Sequence, residues 1–423
     1  MGELEGVSMD FKALAQQYKS ELLDKVMPFW MEHSIDREFG GYLHCLERDG
    51  SVFDTDKFVW MEGREVWMLS KLYNNISTSD GVTEATRQEW LAAAVQGAIF
   101  LRDHGHDGHL NWYFSLDRQG NALVEPYNIF SYTFAVIAFG QLSLALKKAE
   151  ADGAHVSPLG GMGGSLTSAE CADISKRTFD IVLSKVDNPK GRWNKAAATA
   201  RPLKGFALPM ILCNVALEIE HLVDPAFLKQ TIDTCIHEVM DVFYQPELGL
   251  IVENVAPDGS LVDCMDGRQL NPGHAIEAMW FIMDLGKRLG RQDLIERACQ
   301  IALNEAKYGW DEECGGIYYF LDRLGRPLQQ LEWNQKLWWV HLETLITMLK
   351  GYQLTGNEEC LAWFERVHDY VWSHFTDPDY PEWFGYLTRE GKPLLSLKGG
   401  KWKGCFHVPR GLYNVWRMLE TLA

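Results

Sequence analysis

The stretch Gly315-Gly316-Ile317-Tyr318, followed by Arg323-Leu324-Gly325, reads as a short β-hairpin whose glycines allow the turns. It matters because it recurs. Copies stand at Gly40-Gly41-Tyr42-Leu43 with Arg48-Asp49-Gly50, at Asn111-Trp112-Tyr113-Phe114 with Asp117-Arg118-Gln119-Gly120, at Gly249-Leu250-Ile251-Val252 with Pro257-Asp258-Gly259, and at Gly385-Tyr386-Leu387 with Arg389-Glu390-Gly391. Lys190-Gly191-Arg192-Trp193 reads as a worn copy. The spacing is about 60–80 residues, giving roughly six units.

Between the hairpins run helical apolar periods, about two per unit. They cover 12–33, 65–76, 87–102, 130–148, 170–183, 209–220, 226–243, 274–289, 293–307, 337–354, 358–375 and 408–422. Paired helices with hairpins at one end describe an all-α fold, an (α/α)6 barrel or toroid. An open solenoid of helix pairs is the alternative, but solenoid repeats run to about 33–47 residues. The longer period favours the closed ring. Residues 1–423 then form a single catalytic domain. The segment 153–168, with Gly160-Gly161-Met162-Gly163-Gly164, lacks the Gly-Lys-Ser/Thr of a phosphate loop and reads as a flexible insert.

Composition narrows the function. The chain has 423 residues, 47% of them apolar, and a net charge of −18. Such acidity disfavours nucleic acid and anionic membranes as partners. No apolar run reads as a membrane span, and no secretory leader is expected. Nine scattered Cys without a CxxC pair suit a reducing, cytoplasmic compartment. With 16 Trp, 15 Tyr and 20 Phe, the chain can line both a core and a sugar-stacking cleft.

Two histidines occupy matching places. Asn271-Pro272-Gly273-His274 opens a helix, with Asn271 as cap and Pro272 at its first position. The helix dipole is expected to lower the pKa of His274 and keep a neutral base near pH 7. Glu277 shares its face. His407, in Cys405-Phe406-His407-Val408-Pro409-Arg410, precedes the last helix in the same way. A toroid points both into one central cleft; two packed histidines at helix starts are the plainer reading. Glu343 and Trp339 are four apart on one face, and a buried Glu beside Trp and His needs a partner. Trp60-Met61-Glu62-Gly63-Arg64 lies at another helix start, where Arg64 either binds a substrate oxygen or makes a surface ion pair. His104, His106 and His109 form a polar loop read as a solvated turn, so no metal is expected. The basic run Lys398–Lys403 reads as a solvated loop, with an anion site as the alternative.

Taken together, the ordered stretches Asn271–His274, Glu277–Trp280, Leu331–Trp333, Lys336–Trp339 and Lys398–Arg410 carry a family likeness. The chain resembles the N-acylglucosamine 2-epimerase family, called renin-binding protein in mammals, and especially its cyanobacterial members. The likeness runs from Phe29-Trp30-Met31-Glu32-His33-Ser34 to the C-terminus. The 153–168 insert departs from it. The resemblance implies an (α/α)6 barrel that is commonly a homodimer and interconverts N-acetyl-D-glucosamine and N-acetyl-D-mannosamine. It implies His274, His407, Arg64 and Glu343 as catalytic residues, with Glu277 supporting the first histidine. Trp339, Trp60, Asn271 and Arg410 are expected to bind substrate alongside Glu277. ATP is implied as an activator that is not consumed. The rival readings are an epimerase or isomerase of unsubstituted sugars, a glycoside hydrolase using Glu62 and Glu343 on the same barrel, and a protein-binding module.

Overall fold

The computed structural model describes residues 9–153, 156–159, 163–197 and 199–423. Part of the glycine-rich segment expected to be a flexible insert, including Gly160–Met162, lies outside them. Of the remainder, Leu166 is buried, and Ser165 offers its carbonyl to Arg102 Nη1 at 2.8 Å.

The helices alternate between an outer and an inner ring. The first outer helix is continuous from α1 (Phe11–Ser20) through a π-helical stretch (Glu21–Val26) into α2 (Met27–His33). The wide turn precedes Pro28, which has no N–H to give and needs the preceding carbonyls moved aside. The other outer helices are α4 (Glu84–His104), α6 (Ser168–Ser184), α8 (Pro225–His237), α11 (Gln292–Gly309) and α13 (Glu358–His374). The inner ones are α3 (Val59–Asn75), α5 (Ile129–Ala151), α7 (Ala207–Glu218), α10 (Pro272–Leu289), α12 (Trp338–Thr355) and α14 (His407–Leu422). A single turn, α9 (Met265–Arg268), lies between α8 and α10. From α3 round to α14 each inner helix packs on the next, and each packs on the outer helix of its own pair, α14 on α1.

Burial follows this placement. α13 buries Cys360, Trp363, Phe364, Val367, Tyr370 and Val371, one stripe at helical spacing. α12 buries every residue from Trp338 to Gly351, because protein surrounds it. Such helices lose their amphipathic period, which shifts two expectations. α3 begins at Val59 rather than near 65, and its Gly63 sits where a Cβ would come within 2.9 Å of the Phe134 carbonyl oxygen. α5 is long and apolar enough to cross a membrane by composition; as an inner helix, 89% of its most apolar window is buried.

A strand leads into most inner helices and pairs antiparallel with the hairpin of the next unit. Lys57–Phe58 pairs with Ser115–Leu116, Lys204–Gly205 with Asn254–Val255, Gln269–Leu270 with Leu321–Asp322, and Lys336–Leu337 with Tyr386–Leu387. The worn copy at 190–193 is not a hairpin: Gly191–Trp193 forms one 3-10 turn, and the neighbouring residues make no strand.

The arginines of the repeat signature have a structural task. Asp36 accepts from Lys57 Nζ at 2.9 Å and from Arg118 Nε of the next hairpin at 3.0 Å. Asp311 takes Lys336 at 3.1 Å and Arg389 at 2.8 Å. Asp377 takes Lys398 at 2.7 Å and Arg48 at 2.8 Å. The third of these joins the last unit to the first. There Lys398 N donates to Leu46 O at 2.9 Å, closing the ring. The run 398–403 is therefore a solvated loop only at Lys401 and Trp402. Lys398 and Lys403 are both fully buried, and Lys403 Nζ donates to Glu382 at 2.7 Å.

Candidate active site

The inner helices start at the hairpin end of the ring, so their N-termini converge on its mouth and favour negative charge there. His274, His407, Trp60, Trp339, Arg64, Glu277, Glu343 and Arg410 lie in the first two turns of α3, α10, α12 and α14.

Trp339 stands between the two histidines. Its ring centroid is 5.3 Å from that of His274 and 5.9 Å from that of His407. Each imidazole has its own carboxylate. His407 shares its Nδ1 proton with Glu343 Oε1 at 2.8 Å. Glu343 is fully buried and also accepts from Trp280 Nε1 at 2.8 Å and Arg410 Nη2 at 2.5 Å. His274 Nδ1 lies 3.0 Å from Glu253 Oε1. In each ring this leaves Nε2 as the unengaged nitrogen.

Several expectations need correcting. Glu277 does not hydrogen-bond His274; it takes Arg410 Nη2 at 2.5 Å and acts on His274 only through its charge. The partner of His274 is Glu253, in the bend between the strands Leu250–Ile251 and Asn254–Val255 and 21 residues away. No helical period links the two, so the sequence carried no signal for it. The helix dipole does not set the His274 pKa either. Burial pulls it down, but Glu253 and then Glu277 outweigh burial and raise it. Burial dominates at His407, helped by Arg410 and Arg64, and holds it well below the ordinary value despite Glu343. Asn271 caps α10 as expected, its Oδ1 accepting from His274 N at 3.1 Å.

Glu277, Glu343 and His407 bring their ligand atoms within 4.8 Å of one another, a spacing a metal could use. Arg410 already supplies the cation there, bonding both carboxylates through Nη2. Burial raises Glu277 while Arg410 and His407 hold Glu343 low, so the pair shares its charge unequally. The loop of His104, His106 and His109 forms no such group among the described residues. His106 packs edge-on against Trp112, and its Nδ1 accepts from Gly108 N.

Arg64 has no hydrogen bond at Nε and no carboxylate in salt-bridge range among the described residues. Its guanidinium lies over Phe134 at 4.2 Å, Trp60 at 4.6 Å and Phe406 at 4.8 Å. Burial and the like charge of Arg410 push its pKa down. An arginine held this way lacks an anion. Trp60 itself donates Nε1 to Lys401 O at 3.2 Å, and the half-exposed Trp402 meets it edge-on at 5.3 Å. Glu62, by contrast, is fully buried and points away from the cleft. It accepts from Tyr42 N at 3.1 Å and pairs with His44 Nε2 at 3.1 Å. That takes Glu62 out of the Glu62–Glu343 pair on which the hydrolase reading rested.

A ring of six helix pairs, with two carboxylate-held histidines and a free guanidinium at its mouth, defines a helical-barrel protein with a candidate acid–base site. The profile of N-acylglucosamine 2-epimerase (GlcNAc 2-epimerase) matches residues 41–408, and the chain belongs to that family. It is 34% identical over 410 residues to the N-acylglucosamine 2-epimerase of Mus musculus, covering 95% of this chain and 90% of the relative. The Homo sapiens protein of the same name is 35% identical over 405 residues, covering 95% and 89%. Among solved structures, the cellobiose 2-epimerase of Bacillus thermoamylovorans B4167 superposes with a TM-score of 0.77 at 18% identity, over 96% of this chain and 99% of that one. It shares the fold.

Proposed function

We propose that the protein interconverts N-acetyl-D-glucosamine and N-acetyl-D-mannosamine, using His274 and His407 as the two proton-transfer groups. The observation that carries this reading is the pair of imidazoles flanking Trp339, each tied at Nδ1 to its own carboxylate. Family membership supplies the substrate class.

The chemistry follows from the substrate. The ring-opened sugar is an aldehyde, which acidifies the C2 hydrogen. One imidazole Nε2 removes that proton and leaves an enolate whose C2 still carries the acetamido nitrogen. The other returns a proton to the opposite face, and C2 is inverted. Arg64 faces the oxygen that gains charge, and Glu343 and Arg410 hold His407. Trp339 and Trp60 offer apolar faces to the sugar. Replacing Arg64 by Met should lower kcat by roughly 10²–10³-fold, the size of a lost oxyanion donor. Steady-state rates with N-acetylmannosamine measure this, and an unchanged kcat would remove Arg64 from the mechanism.

The reading extends to a cytoplasmic homodimer activated by ATP that is not consumed, as family resemblance implies. NMR of N-acetylglucosamine with the protein in D2O tests the core of it. N-acetylmannosamine should form with deuterium at C2, with or without EDTA. A non-hydrolysable ATP analogue should raise the rate about as well as ATP. Loss of activity to EDTA, restored by a divalent ion, would defeat the metal-free mechanism; no epimer under any of these conditions would defeat the function.

A further inference from the structure

Glu253 lies outside every helix that builds the mouth. Its backbone is pinned on both sides: Glu253 N donates to Gln269 O at 3.2 Å, and Glu253 O accepts from Phe206 N at 2.9 Å. These bonds fasten it to the strands that lead into α10 and α7. The side chain is therefore aimed by the inter-unit sheet, not by the helix that carries His274. Its Oε1 meets Nδ1 at 3.0 Å, and its side chain is 13% exposed, so little water competes for it.

We propose that Glu253 is the positioning residue of His274: it fixes the imidazole through Nδ1–H, leaves Nε2 to the cleft, and keeps the resting proton on His274 while His407 stands neutral. This rests on the two-histidine reading above and deepens it by assigning the starting roles.

The charges around each ring agree. His274 faces Glu253 from the strand side and Glu277 on its own helix. Glu305 of α11 lies within charge range of Glu253, not of His274, and burial raises its pKa to about 8. Trp339 of α12 contributes no charge. Glu277 is itself engaged by Arg410, so Glu253 is the carboxylate that answers His274 directly. His407 faces Glu343 from α12, but Arg410 lies 3.5 Å from its Nδ1 and Arg64 stands nearby. Two guanidiniums thus oppose a second positive charge there. Exposure differs in the same sense: the His274 side chain is 28% exposed and that of His407 9%.

A turnover then balances. Neutral His407 takes the C2 proton. His274 gives its Nε2 proton to the other face, and the two rings end with their proton states exchanged. His407 loses its proton to solvent and His274 regains one, which restores the start. The opposite epimer is served by the minority arrangement of the same single proton, so both directions share the same pH limits. The alkaline limit belongs to His274.

Glu253→Gln tests this, because the amide oxygen still accepts from Nδ1–H while the charge is gone. Two-dimensional NMR of the histidine side chains, assigned with His274→Asn, should show the His274 ring losing its proton at a pH lower by about one unit or more in the variant. The alkaline limb of kcat should move down by the same amount, and Glu253→Asp should fall between the two. A His274 titration identical in wild type and Glu253→Gln, in protein whose circular dichroism is unchanged, would overturn the assignment. The ring titration needs no substrate, so it decides this point even if the wild type proves not to epimerise this sugar.

Discussion

Replacing His407 by Asn is expected to abolish net epimerisation, a loss of roughly 10²–10⁴-fold or more, while leaving the fold in place. The site survives the change because Glu343 keeps two of its three partners, Trp280 and Arg410. His274→Asn should have the same outcome, since the Asn side-chain amide can still donate to Glu253 from near the place of Nδ1. The reason is stereochemical. The C2 hydrogens of the two epimers lie on opposite faces of the planar intermediate, and one imidazole reaches one face. A single variant keeps the means to exchange C2 hydrogen with D2O for the epimer its remaining histidine serves. Labelling of different epimers by the two variants would identify those faces. Substantial net epimerisation by either variant would rule out an obligatory pair and point to one base with a sugar that turns over.

The second large effect is on stability. The Asp377 side chain is fully buried between Lys398, also fully buried, and Arg48. Asp377→Ala strands the Lys398 ammonium with one carbonyl, that of Glu382, as its remaining partner. Breaking a buried pair from one side costs about 3–5 kcal/mol. That is a large share of the roughly 5–15 kcal/mol that holds a domain folded. The exposed pair Arg291–Asp293 is the control, worth about 0–1 kcal/mol. Urea midpoints read by tryptophan fluorescence compare them, and equal midpoints would deny the seam its role. Burial alone would raise the Asp377 carboxyl, but Arg48 and Lys398 hold it well below the ordinary value. Its stabilisation is therefore complete above the unfolded carboxyl pKa and is lost only as pH falls towards that depressed value.

The sequence disclosed the repeat, and with it the number of helices, because a hairpin needs its glycines and an outer helix needs its stripe. It was silent wherever partners sit on different units. Asp36, Lys57 and Arg118 look like three ordinary surface charges until the strands align them. Glu253 could not be found from His274 for the same reason. The two histidines were legible because Pro272 and Pro409 mark helix starts, and repeated helix starts share one end of a ring. Their proton affinities were not, since these depend on which carboxylate and which guanidinium arrive from elsewhere. Buried inner helices hid their own limits. The start of α3 at Val59 shows no period, because Val59, Met61, Glu62, Gly63, Arg64 and Glu65 are all enclosed.

Closure at Arg48 and Asp377 also sets a schedule for the newborn chain. The two residues are 329 positions apart, so Arg48 leaves the ribosome long before its partner exists. At about 5–20 residues per second that interval is roughly 16–66 s. Through it the early helix pairs stand as an unfinished arc with one apolar flank uncovered, the condition in which chains associate wrongly or call on chaperones. The candidate site is assembled on the same clock. His274 is made well before Glu343 and His407, so the three come together only when the last helix swings in against the first.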